Sequence, residues 1–184
     1  MHLNRRQLGL SDVISALIMI TISVLIATIL TYYSINTTTT RTSIEFIQLD
    51  KEHIWVNETG AVAAFRVKLT GGKDVLISKI EVRKIRASWS NVYYFRVPSG
   101  TEIGEDMNLT SSSSLTGSGV SLFGRTYTQA LQVIEMVSGG EILFYIKNPG
   151  DIGVDDIGSR ADIKIFTNNA KYVTGKNIES ATTQ

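Results

Sequence analysis

The chain of 184 residues contains no cysteine, so disulfides and thiolate metal sites are both excluded. It has only two histidines, His2 and His53, too few for a multi-histidine metal centre and no basis for a histidine-driven triad. Charge of one sign is also lacking. The 18 Lys+Arg and 17 Asp+Glu nearly cancel, and the basic residues are interleaved with acids and apolar residues. That pattern excludes nucleic acid as a specific ligand. One further absence is local: residues 13–40 contain no charged side chain at all.

That uncharged stretch is the dominant feature of the chain. It is mostly Ile, Leu, Val, Met and Ala as far as Ile35, and it raises the mean hydropathy to +0.08. As a helix, residues 10–35 would extend about 39 Å, longer than the roughly 30 Å hydrocarbon core of a bilayer. The run is apolar all round rather than striped, which does not suit a surface helix of a globular domain. A secretory signal carries an apolar region of only about 7–15 residues before a small-x-small cleavage site, so a discarded signal fits worst. A retained anchor, or a helix that leaves the membrane to pack elsewhere, remains.

Arg5 and Arg6 precede the run and hold its N-terminal side in the cytoplasm by the positive-inside rule, which places the rest of the chain outside. Ser11 or Asp12 is expected to cap the helix, and Tyr32 and Tyr33 to form an interfacial belt at its outer end. The four threonines after Asn36 are expected to stop it and act as a hinge. Small residues recur at four-residue spacing in Ser11-xxx-Ser15 and Ser23-xxx-Ala27-xxx-Thr31, which lets helices approach closely.

Beyond the threonines the period shifts from helix to strand. The segments SIEFIQL from Ser43, AFRVKL from Ala64, ISKIEVRKIR from Ile77, VYYFRV from Val92, EILFYIK from Glu141 and ADIKIF from Ala161 alternate apolar with polar residues. Gly and Asn signals separate them, among them Thr59-Gly60, Gly71-Gly72, Gly139-Gly140 and Asn168-Asn169. The expected class is α+β: one long N-terminal helix, then an antiparallel β-sandwich of immunoglobulin-like type. Thr128–Val137 reads as strand or short helix, with strand preferred. Residues 110–119 read as a flexible polar loop.

The N-terminal arrangement of Arg5-Arg6-Gln7-Leu8-Gly9, then Leu10-Ser11-Asp12-Val13-Ile14 and a long apolar helix before a β domain, resembles the precursor of an archaeal type IV pilin-like filament subunit. The resemblance covers about the first 35 residues. It implies a leader (residues 1–9) cut between Gly9 and Leu10 by a prepilin peptidase on the cytoplasmic side. It also implies a helix (10–36) that passes from membrane to filament core, a hinge (37–42) and an extracellular domain (43–184). The implied partners are copies of the chain, the peptidase, the assembly platform with its ATPase, and the membrane before assembly. No cofactor, metal or catalytic role is implied. After cleavage, Asp12 either pairs with the free amine of a neighbouring Leu10 or caps its own helix. A membrane-anchored binding domain that never polymerises and a motility-filament subunit stand as alternatives.

Three triplets, at Asn36, Asn57 and Asn108, match the N-glycosylation acceptor pattern. The acids Asp151, Asp155 and Asp156 lack calcium-loop spacing and read as a solvated turn. Asp50-Lys-Glu-His53 also reads as a turn.

Overall fold

The computed structural model describes the backbone of residues 5–181 and the side chains of residues 12–39 and 44–181. The chain divides into two compact units, residues 1–42 and 43–184. The first is a single helix, α1 (Arg5–Ser43). Its start lies upstream of the expected cap, so Ser11 and Asp12 sit inside the helix and do not open it. Arg, Gln and Leu are good helix formers, and a single Gly9 costs only about 1 kcal/mol relative to alanine.

The far end also differs from expectation. The threonines do not stop the helix at Asn36, because it runs on to Ser43. Threonine costs at most about 0.7 kcal/mol per residue relative to alanine, too little to break a helix already propagating. Its hydroxyl also turns back to the carbonyl four residues earlier, as Thr39 Oγ1 does to Ile35 O at 2.7 Å.

The second unit is built of eleven strands. They are β1 (Ile47–Asn57), β2 (Gly60–Leu69), β3 (Val75–Val82), β4 (Ile85–Arg86), β5 (Val92–Arg96) and β6 (Gly119–Leu122), followed by β7 (Arg125–Gln129), β8 (Ile134–Met136), β9 (Glu141–Lys147), β10 (Arg160–Thr167) and β11 (Lys171–Ser180). Hydrogen bonds join them in the order β4-β3-β10-β11-β1-β2-β9-β5-β7-β6, and β8 flanks β3. Every pairing is antiparallel except β1 with β11. The α+β class therefore holds. The strands form one continuous hydrogen-bonded path of mixed pairing.

Two apolar clusters flank this path. The larger takes Ile54, Phe65 and Phe144 from β1, β2 and β9 together with Ile77, Ile80, Ile163 and Ile165 from β3 and β10. The first three strands are not hydrogen-bonded to the last two, β11 lying between the groups, so separate parts of the path share a single core. The smaller cluster lies on the other face of β1, β2, β5 and β9 and is rich in aromatics: Trp55, Tyr93, Tyr127 and Tyr145. Residues 61–65 and 142–146 are consequently buried on both faces, which is why AVAAF and ILFYI are continuous apolar runs. Thr128–Val137 is neither one strand nor a helix. It holds the end of β7 and all of β8, separated by Leu131, which is 85% exposed.

Gly71 shows how closely the chain packs where the β domain begins. A Cβ there would collide with the backbone of Ile44 and Phe46, whose carbonyl accepts the amides of Thr70 and Gly71.

Candidate functional site

The feature of α1 that stands out is its exposed apolar surface. The stretch Asp12–Thr39, 28 residues long, is apolar enough to cross a membrane, and none of its residues is buried. Large apolar side chains from Val13 to Ile35, including Met19, Ile22, Leu25, Ile29 and Leu30, are half or more exposed. In water, each such side chain forgoes about 1.5–3 kcal/mol of burial.

Four hydroxyls of the apolar stretch are already satisfied. Thr21, Ser23, Thr28 and Thr31 each donate to the carbonyl four residues back at 2.8 Å. This ties those four donors to the helix backbone, an arrangement compatible with hydrocarbon and with a dry helix bundle alike. Ser23, Ala27 and Thr31 thus offer small size, not interhelical hydrogen bonds. Ser15 is exposed, as is Asp12. Tyr32 and Tyr33 are both exposed, about 30 Å of helical rise beyond Asp12. Arg5, Arg6, Gly9 and Leu10 lie in helical backbone, but their side chains, and residues 1–4 of the expected leader, fall outside the described residues.

A second constellation, on the β domain, was not legible in the sequence. The connection 97–118 between β5 and β6 crosses the aromatic cluster and is held mainly by side chains of the sheet. Lys51 Nζ donates to the carbonyls of Ile103 (2.8 Å), Gly104 (2.9 Å) and Glu105. Tyr93, Tyr145 and Lys147 donate to Gly117, Asn108 and Leu115. Arg66 binds Asp50 through Nε and Nη2, both at 2.5 Å, and reaches Glu141 (3.2 Å) and the Ile103 carbonyl (3.0 Å) with Nη1. These carboxylates, Asp50 foremost, hold the Arg66 guanidinium well above its ordinary pKa, against its partial desolvation.

His53 stacks on Trp55, with ring centroids 4.9 Å apart. Its nitrogens face two carboxylates, Nε2 to Asp106 at 3.1 Å and Nδ1 to Glu179 at 3.2 Å. Burial acts to raise the Asp106 carboxyl, but His53, the Met107 amide and Lys51 outweigh it and the net direction is down. The expected turn at Asp50–His53 is therefore a bulge inside β1, marked by the register shift there and by Lys51 at φ 55°. No sequence signal marks it, since the bulge carries no glycine.

Burial raises the Tyr145 hydroxyl above its ordinary value, with Tyr127 adding to the effect. Asp156 is lowered by Arg83 at 2.6 Å and by the Gly153 amide, which makes it a partnered turn residue. Among the described residues, no group of three or more His, Asp or Glu side chains is arranged to hold a metal ion. No protein-family model matches the chain, and no curated protein is similar to it.

Proposed function

We propose that this protein is a structural subunit of an archaeal type IV-like surface filament, of the adhesive kind, assembled through α1. The observation that carries the reading is a helix of membrane-spanning length with no buried residue, joined to a β domain that has its own complete core. A helix of this composition has two stable environments, lipid and a bundle of identical helices, and a filament subunit uses both in turn. The leader residues Arg5, Arg6 and Gly9 supply orientation and a cutting point before Leu10. Prepilin peptidase, assembly platform and ATPase are the corresponding partners, and the cell surface is the destination.

The decisive experiment is the mass and N-terminal peptide of the chain in filaments sheared from cells. Chains beginning at Leu10 in that fraction support the reading. Chains beginning at Met1 and confined to membranes overturn it in favour of an anchored binding domain. Loss of swimming on deletion of the protein would reassign it to the motility filament.

A further inference from the structure

The three acceptor triplets occupy three different environments. Asn36 is within α1, where residues two apart point about 200° away from each other, so Asn36 and Thr38 share no face. Asn108 is exposed, but its Thr110 is only 8% exposed and its own carbonyl is taken by the Tyr145 hydroxyl at 2.8 Å. Asn57 is different. It ends β1 and opens the turn into β2, where Glu58 and Thr59 are both exposed. Its carboxamide oxygen accepts the Thr59 amide at 3.0 Å and the Thr59 hydroxyl at 2.7 Å. Because a backbone amide only donates, the atom facing it must be Oδ1, which fixes the opposite position for Nδ2.

Among the described residues, Asn57 Nδ2 has no hydrogen-bond partner. The turn is held in this shape by Gly60 at φ 139°, where a Cβ would strike the side chains of Asn148 and Ser112. The hydroxyl of the third residue of the triplet is thus already folded onto the acceptor amide. The nitrogen is left free at the far end of β1, about 33 Å along the strand from Ile47.

From this geometry we infer that Asn57 is a glycan attachment site, modified from a sugar carried on a membrane lipid phosphate. The inference rests on the reading that the β domain lies outside the cell. In the transfer, Nδ2 forms a bond to the anomeric carbon while the bond from that carbon to the phosphate oxygen breaks. The lipid phosphate leaves with the electron pair, and Nδ2 loses one of its two protons. No oxidant or metal redox chemistry enters. A sugar here projects from the tip of the β1–β2 hairpin.

Trypsin separates the three triplets cleanly, into peptides 7–41 (10–41 once the chain is cut before Leu10), 52–66 and 97–125. The experiment is glycopeptide mapping of the full chain isolated from its own cells, from membranes and from the sheared fraction. The expected result is modification of peptide 52–66 with 97–125 unmodified. The modification is expected to vanish in Asn57→Gln and in Thr59→Val and to persist in Thr59→Ser. An unmodified 52–66 peptide, or sugar on 97–125 or 7–41 in its place, overturns the inference. Retention in Thr59→Val overturns the role of the hydroxyl. Sugar on Asn57 in a chain confined to membranes upholds this inference and sinks the filament, whereas filaments with bare Asn57 do the reverse.

Discussion

At the scale of single residues, the β domain depends on a few cations placed where the sheet meets the 97–118 connection. Arg66 is the most heavily engaged. Its side chain is 15% exposed and satisfies Asp50, Glu141 and one carbonyl together. Arg66→Ala leaves two partly buried carboxylates facing each other without a cation. The expected loss is about 2–3 kcal/mol, between the value of an exposed pair and that of a fully buried one. The fluorescence of Trp55, buried against His53, reports the transition in urea, and an unchanged midpoint would show the pairing to be ornamental.

The lowered Asp106 and Asp156 carboxyls make an acid prediction. An aspartate held below its unfolded value of about 3.9 adds stability above that pH and loses it as the pH falls through the folded value. The urea midpoint is therefore expected to be flat from pH 7 to 5 and to drop below about pH 4. The doubly substituted Asp106→Asn, Asp156→Asn chain should show a shallower drop. An equal drop in both proteins would place the acid sensitivity elsewhere.

At the scale of elements, helix and strands are stabilised by different neighbours, and this makes α1 testable by itself. Leu25 lies near the middle of the apolar stretch and is exposed. An aspartate there costs about 2.5–3.5 kcal/mol on insertion scales. A dozen or more apolar residues at about −0.3 to −0.6 kcal/mol each outweigh it. Leu25→Asp is therefore expected to enter membranes normally, as measured by alkali-resistant fractionation. In a bundle of helices, however, the same charge has neither water nor a counterion, so filaments should disappear from the sheared fraction. Filaments at wild-type yield would mean that α1 is not their core.

The elements were unequally legible in the sequence. The helix and the apolar strands β2, β3, β9 and β10 stand out through composition and period. β3 and β4 merged into one expected strand because the turn between them is Arg83-Lys84, two residues with positive φ and no Gly or Asn to signal it. The β6–β7 hairpin was missed for a related reason, since its turn places Phe123 at φ 51° before Gly124. The sequence pattern of β11 is broken by Gly175, and the strand sits beside β1 through a parallel pairing, Ile54 to Ile178, that no local pattern encodes. The single continuous path followed from that pairing and was for the same reason invisible.

At the scale of the whole molecule, the division of labour between the two units makes a prediction about separability. Every residue of both apolar clusters lies between Ile47 and Ala181, and no described residue of Asp12–Thr39 is buried. Removing the helix therefore removes none of the core, while it removes the large apolar surface that keeps the chain out of water. A chain of residues 44–184 is expected to be monomeric and soluble without detergent. Its thermal midpoint should lie within a few degrees of the full chain's in detergent, since no cavity or orphaned core group is created. Far-ultraviolet circular dichroism should show the loss of helix and retention of the β signal. Sedimentation measures the other half of the claim, because a free β domain that still forms long polymers would move assembly from the helix to the strands. A truncated chain that fails to fold would mean instead that the β core needs α1 to form. Solubility with a cooperative transition and no polymer is the outcome that the proposed assembly through α1 requires.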